Sequence, residues 1–355
     1  MKITISKSII ENILIQAGPF LEKKDTSQIT SHVYINVSNS ILTIKATDYE
    51  IGYFVNTNNV QVIEDGSTTA NGKKLLDIIR ILKDGNIDLE VKSDILHISQ
   101  AHSNFKLPTY SHQDFPEFPS HEGKNRISID SYSLIESLKK ITPAIDTNNP
   151  KFELNGALID IKPDRINFAS TDTRRLAVVN IPNDTSNELS IILPKKAIVE
   201  IQKLFFNEIE LYYDETNLII HSDQYTFFTK LINGKFPEYS RIIPKEVSNT
   251  LLLPKAIMID SIKQITTIST DVKITFLNET ITFESLSDDN NKAKTEIGFS
   301  TGFSESFTIA INSRYLLDFL NSIKNSEFNI GLNEGNLPFI LSDENFQTVV
   351  MPIVI

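Results

Sequence analysis

One unit is written three times along this chain, and that repetition limits the available folds more than any single motif does. Short apolar strands Ile3-Thr4-Ile5, Ile127-Ser128-Ile129 and Leu251-Leu252-Leu253 begin 124 residues apart both times. Each is followed by a helical segment, at 7–17, 131–141 and 255–265. Thr47-Asp48 closes the run Leu42-Thr43-Ile44-Lys45-Ala46, and Thr171-Asp172 closes Ile166-Asn167-Phe168-Ala169-Ser170, again 124 residues on. Phe115-Pro116-Glu117-Phe118 returns as Phe236-Pro237-Glu238-Tyr239. A second helix in each unit starts at Lys73, Lys195 and Ser313, so every unit reads as a doubled half-unit of strand, helix and further strands. The expected fold class is α+β, in three similar domains of ordinary size. Polar connectors at 120–125 and 244–249 place the domains at 1–123, 124–247 and 248–355, with a polar loop expected at 287–294.

Leu75, Ile78, Ile79 and Leu82 fall at i, i+3, i+4 and i+7, an apolar stripe that lies on a sheet and turns Lys73, Arg80 and Lys83 outward. Between the helices the pattern alternates, as in Ile87-Asp88-Leu89-Glu90-Val91 and Ile209-Glu210-Leu211-Tyr212, which marks half-buried strands. The formal charge of −11 is unevenly spread. The six helical segments (7–17, 73–83, 131–141, 195–204, 255–265 and 313–324) hold fourteen Lys or Arg against six acids, a surplus of +8 that leaves −19 for the rest. Basic helices on an acidic body focus positive potential on one surface. The plainer account is that lysine favours helices.

Several chemistries are excluded. The chain has no Cys, hence no disulfide, thiolate ligand or Cys nucleophile, which suits a cytoplasmic protein. Its six His show no metal-ligand spacing, and no cofactor is implied. No Walker, dinucleotide or nucleophile-elbow motif occurs, and only 12 Gly are available for phosphate loops. No secretory h-region is apparent and no apolar run is long enough to cross a membrane. Asp48 and Asp172 at strand ends suit a metal-dependent DNA-processing enzyme, but Thr-Asp pairs also bond their own backbone in turns, which duplication would copy. An acidic repeat scaffold without a nucleic-acid role is a third reading.

Two regions suit contact with partners. Leu154, the run Thr171–Leu176, Pro244, Val247 and the terminus Val349–Ile355 form the first. Seven consecutive apolar residues at the end either pack as a last strand or line a peptide groove, for which Met351 and Pro352 are suited. Arg174 and Arg175 are expected at its rim, holding a partner's carboxylate. The second region is Lys23-Lys24 with Asn148-Asn149-Pro150-Lys151-Phe152, cations beside one aromatic ring, as where a nucleic-acid backbone is touched or a base stacked.

Leu154-Asn155-Gly156, Thr171-Asp172-Thr173-Arg174-Arg175-Leu176-Ala177-Val178, Leu193-Pro194-Lys195-Lys196, the run from Lys230 to Tyr239 and Val350-Met351-Pro352 occur in an order and spacing that resembles the bacterial β sliding clamps, the processivity subunit of DNA polymerase III, over the whole chain. The resemblance implies a non-enzymatic head-to-tail homodimer, a six-domain ring with helices lining the hole and sheets outside. It implies partners as well: encircled double-stranded DNA, the polymerase III alpha subunit, the clamp loader through its delta subunit, and other polymerases and repair proteins carrying short linear motifs. Matched residue by residue, the partner-peptide cleft falls on Leu154, Thr171, Thr173, Arg174, Arg175, Leu176, Pro244, Val247, Val349, Met351, Pro352 and Ile353. DNA contacts fall on Lys24, Asn148, Lys151 and Phe152 in loops, and on Lys73, Lys195 and Lys196 on helices, to which the helical cations Arg80 and Lys203 are added as candidates. The subunit contact falls on Phe105, Leu107 and Ile268. The chain departs from the family with Thr173-Arg174 for Gly-His, Val354 for Arg, and Glu153 for a second aromatic in the DNA loop.

Overall fold

The computed structural model describes residues 1–25, 27–184, 188–286 and 291–355. The first repeat runs β1 (Lys2–Ser6), α1 (Lys7–Ala17), β2 (His32–Ser38), β3 (Ile41–Thr47), β4 (Ile51–Thr57), β5 (Gln61–Glu64), β6 (Gly66–Asn71), α2 (Gly72–Ile81), β7 (Asn86–Lys92), β8 (Ile95–Gln100) and β9 (Ser103–Pro108). The second runs β10 (Asn125–Ile127), α3 (Ser131–Ile141), β11 (Gly156–Ile161), β12 (Arg165–Thr171), β13 (Arg175–Pro182), β14 (Leu189–Pro194), α4 (Lys195–Leu204), β15 (Glu210–Tyr213), β16 (Asn217–His221) and β17 (Tyr225–Lys230). The third runs β18 (Asn249–Pro254), α5 (Lys255–Thr266), β19 (Asp271–Leu277), β20 (Thr280–Ser285), β21 (Lys294–Gly298), β22 (Phe307–Asn312), α6 (Ser313–Ser322), β23 (Glu327–Leu332), β24 (Phe339–Asp343) and β25 (Phe346–Val350). Of the loop expected at 287–294, residues 287–290 lie outside the described residues, and Lys294 belongs to β21.

The chain divides into two compact units, residues 1–132 with 199–231, and 133–198 with 232–355. These cut across the repeats because a sheet runs on from one repeat to the next. In the first unit β4 pairs antiparallel with β17, making an eight-stranded sheet β10-β15-β16-β17-β4-β3-β2-β6 beside a five-stranded sheet β5-β1-β7-β8-β9. Phe20 stacks on Tyr53 at 5.4 Å and meets Phe227 edge-on at 5.9 Å, and Phe205 also packs on Phe227, so residues of both repeats fill one core. In the second unit β13 pairs with β25, giving β14-β11-β12-β13-β25-β24-β23-β18 beside the sheet β21-β20-β19-β22. The two junctions share one register: Val55 opposes Tyr225 in the first and Val179 opposes Phe346 in the second.

Helices α2 and α6 end two residues before the helical segments expected at 73–83 and 313–324 do. Leu82 and Ile323 are already extended, so Lys83 and Lys324 stand outside the helices they were expected to charge. The ends are held by lysines from the neighbouring helix. Lys7 Nζ donates to the carbonyls of Arg80 at 3.1 Å and Leu82 at 2.6 Å, and Lys255 Nζ donates to Ile323 O at 2.7 Å. Terminal carbonyls lack intrahelical partners, and a cation there also meets the negative end of the helix dipole.

Candidate peptide cleft and nucleic-acid contacts

The cleft starts from an apolar face of the β11–β14 sheet. Leu158, Ala169 and Val178 stand side by side across β11, β12 and β13. With Leu154, Leu176, Ile192, Phe236 and Val349 they form one buried cluster, on which Ile232, Tyr239, Ile243 and Ile340 lie half-covered. Of the residues expected here, Leu154, Leu176 and Val349 are in that cluster. Pro244 lies half-buried outside it, and Val247 packs instead over Gly331 of β23. Leu158, Ala169, Val178, Ile192 and Phe236 were not expected. Val178 is visible afterwards as the period-two neighbour of Leu176, Leu158 and Ala169 are its cross-strand neighbours and carry no such signal, and Phe236 lies in the repeated Phe-Pro-Glu-aromatic run whose role the sequence left open. Burial raises the Tyr239 hydroxyl to about 12, helped by nearby Asp160.

The turn Thr171–Arg175 closes one end. Thr173 is left-handed at φ 71°, Thr171 Oγ1 donates to Arg175 O, and Asp172 Oδ1 accepts from the amides of Arg174 and Arg175. The same geometry recurs at Tyr49 (φ 73°), with Thr47 on Ile51 O and Asp48 Oδ1 on the amides of Glu50 and Ile51. Both strand-end aspartates are therefore turn acceptors, and among the described residues no cluster of three or more metal-ligating side chains is found. A side chain at 173 costs strain in this conformation that Gly avoids.

Arg175 corrects an expectation. It is not a rim cation: its guanidinium is buried, donating to Asp172 Oδ2 at 3.0 Å, Asp318 Oδ2 at 2.8 Å and Pro143 O, with Tyr315 4.6 Å beneath it. Arg174 remains exposed, its carbonyl accepting from Met351 N at 2.9 Å. The terminus follows neither expectation wholly. Val349 and Val350 are buried in β25, whereas Met351 is 42% exposed, Val354 and Ile355 more so, and Ile353 N is tied to Ala310 O. Leu176→Ala is expected to weaken binding of an apolar peptide by roughly 1–3 kcal/mol, read by calorimetry, the range for truncating a buried anchor.

In the second region, the loop at 146–155 is tied together by its own side chains. Asn149 N donates to Asn155 Oδ1 at 2.8 Å, Asn155 Nδ2 returns a bond to Asn149 O at 2.9 Å, and Asp146 takes Asn149 Nδ2 at 2.6 Å. Asn148, left-handed at φ 67°, and Lys151 and Phe152 project from it, Phe152 with 73% of its surface exposed. Lys195 is a second correction. Its Nζ donates to Ile145 O at 2.7 Å and it is half-buried, so it braces this loop rather than standing free for phosphate, and burial lowers its pKa. Lys24, Lys73, Arg80, Lys196 and Lys203 are exposed, Lys203 beside Glu200 at 2.9 Å.

On the edge strand β9, Phe105 is half-buried and Leu107 buried, while Ile268, just past α5, is 42% exposed. Leu107 lines a pocket with His32, Asn71, Lys74, Pro108 and Tyr110. His32 stacks on Tyr110 at 4.3 Å, and burial, then Lys74, lower its pKa from 6.5 to about 4. Its neutral ring therefore contributes stability that is complete above pH 6.5 and declines as pH falls toward 4, by roughly 2–3 kcal/mol. Thermal melts across that window should show the loss in the wild type and not in His32→Gln.

The N-terminal, central and C-terminal domain profiles of the DNA polymerase III beta subunit match residues 1–119, 128–238 and 240–354. The Beta sliding clamp of Helicobacter pylori (strain ATCC 700392 / 26695) is 36% identical with both chains covered in full, and that of Buchnera aphidicola subsp. Rhopalosiphum padi is 28% identical over 97% of this chain and 96% of its own. Among solved structures, the Helicobacter pylori beta clamp bound to a DNA ligase peptide superposes with a TM-score of 0.94 at 37% identity, covering all of both chains. The DNA polymerase III subunit beta of Pseudomonas aeruginosa, at 22% identity and TM-score 0.91, shares the fold. With three successive clamp domains matched along its length, this chain belongs to the bacterial β sliding clamps, the DNA polymerase III beta subunits.

Proposed function

We propose that this chain is a non-catalytic DNA sliding clamp, two copies of which close head to tail around duplex DNA and tether the replicative polymerase. The observation that carries this reading is an unfinished series of sheet junctions. β4 pairs with β17 and β13 with β25. By the repeat, the next junction joins β21 to β9, yet among the described residues β21 pairs only with β20 and β9 only with β8. Unpaired edges of this kind invite another chain. A β9 edge meeting the β21 edge of a second copy, twice, closes six domains. Hairpin partners set the register: Ile44, Phe168 and Phe283 oppose Val55, Val179 and Thr295, and Ile98 opposes Phe105 as Ile220 opposes Phe227. Ser103 should therefore oppose Thr295 of the second copy.

Inside such a ring, the exposed cations at Lys73, Arg80, Lys196 and Lys203 meet phosphates without reading base edges, so binding is sequence-independent and salt-sensitive. Lys24, Asn148, Lys151 and Phe152 add loop contacts. The acidic remainder keeps DNA in the hole. The cleft beneath Tyr239 and Met351 takes apolar side chains of short linear motifs, so the polymerase alpha subunit, the loader's delta subunit and repair proteins compete for it. A clamp working on replicating DNA would act in the bacterial cytoplasm. The test is topological: loaded by a clamp loader onto nicked circular DNA, the protein should stay bound and leave when the circle is cut. Equal release from circles and linear DNA would refute the ring.

A further inference from the structure

The junction at β4–β17 repeats the cleft's framework with different side chains. Where Leu158, Ala169 and Val178 stand abreast, Tyr34, Lys45 and Phe54 stand abreast across β2, β3 and β4. Leu176 opposite Val349 becomes Gly52 opposite Phe228. The Phe228 ring lies directly on Gly52, where a Cβ would come within 2.0 Å of it, so the deep part of this second cleft is already filled. Phe118, the counterpart of Tyr239, meets Phe228 edge-on at 4.9 Å. The result is a shallow floor of half-exposed Tyr34, Phe54 and Phe118. Lys45 Nζ stands 5.4 Å from the centre of each of those three rings. No carboxylate or hydrogen-bond acceptor is within bonding distance of that ammonium among the described residues.

We propose that this aromatic floor is a second peptide-docking site, for a segment of a partner protein in which an acidic side chain meets Lys45 and an adjoining aromatic or aliphatic side chain lies on the rings of Tyr34, Phe54 and Phe118. The proposal extends the cleft reading to its repeat-related position. Charge complementarity selects the occupant: an ammonium on ring faces still lacks an anion, and a carboxylate adds a charge-assisted hydrogen bond that the rings do not supply. Burial lowers the Lys45 pKa, with Glu117 opposing, and an arriving carboxylate would oppose that lowering in the same way as Glu117. Because Phe228 plugs the deep pocket, the occupant lies flat and binds more weakly than one inserted beside Leu176.

The test uses the full-length protein and the probe acetyl-Asp-Phe-Leu-amide, titrated calorimetrically and by NMR with lysine side chains carbon-13 labelled. The expected result is two sites per chain, with the Lys45 ε-carbon signal moving in step with the weaker one. Lys45→Glu should weaken that site at least tenfold and spare the other. Leu176→Ala should weaken the stronger site and spare the Lys45 response, so failure of the cleft reading and failure of this one are separable. One site per chain in the wild type, or a second site that survives Lys45→Glu with an unchanged melting temperature, would overturn the proposal. So would assemblies larger than a dimer that Lys45→Glu dissolves, which would assign the floor to another copy of this chain.

Discussion

Arg175→Ala is expected to destabilise the unit that holds it by about 3–5 kcal/mol, because removing one partner of a buried ion pair strands the others. Asp172 and Asp318 would lose their shared guanidinium, Pro143 O its donor and Tyr315 its cation. Arg175→Lys should recover little, since an ammonium lacks the fork that reaches both carboxylates. Urea unfolding followed by tyrosine fluorescence suits a chain with ten Tyr and no Trp. Asp318→Asn combined with Arg175→Ala should cost less than the two single losses summed, as residues of one network do. A peptide affinity that falls together with stability would place Arg175 as the brace of the cleft wall. Intact stability with weakened binding would return it to the rim.

The second large effect concerns the open edge. Phe105→Asp places a carboxylate on β9, where the proposed second copy pairs, and is expected to leave monomers at micromolar concentration by light scattering. Burying an unpaired charge in an interface core costs several kcal/mol, enough to lower association a thousandfold or more, at about tenfold per 1.4 kcal/mol. Because Phe105 is only half-buried within its own unit, the variant should still melt cooperatively. A dimer that survives would move the interface away from β9.

Much of the architecture was legible because duplication writes the same pattern repeatedly. The 124-residue spacing of Thr47-Asp48 and Thr171-Asp172 located both turns, and the structure gives them the same left-handed residue and the same amide bonds. What was hidden depends on neighbours remote in sequence. Arg175 reads as a rim cation beside Arg174, since Asp318 lies 143 residues away. Lys195 reads as a phosphate ligand because nothing in its own helix announces Ile145 O. Charge counting fails in the same way at Lys7 and Lys255, which spend their ammonium groups on helix ends. The cleft floor was missed at Leu158 and Ala169 because small and aliphatic strand residues look alike whether they fill a core or line a groove.

The central claim, that β9 of one copy continues β21 of another, is tested most directly by cross-linking. The chain has no Cys, so Ser103→Cys with Thr295→Cys introduces the only thiols. Antiparallel neighbours about 4.5–5.5 Å apart lie within disulfide reach. Oxidation should give a covalent species of two chains on a non-reducing denaturing gel. When formed after loading, it should hold nicked circular DNA through denaturation. A product that stays at one chain, or a cross-linked pair that slips off circular DNA, would contradict it.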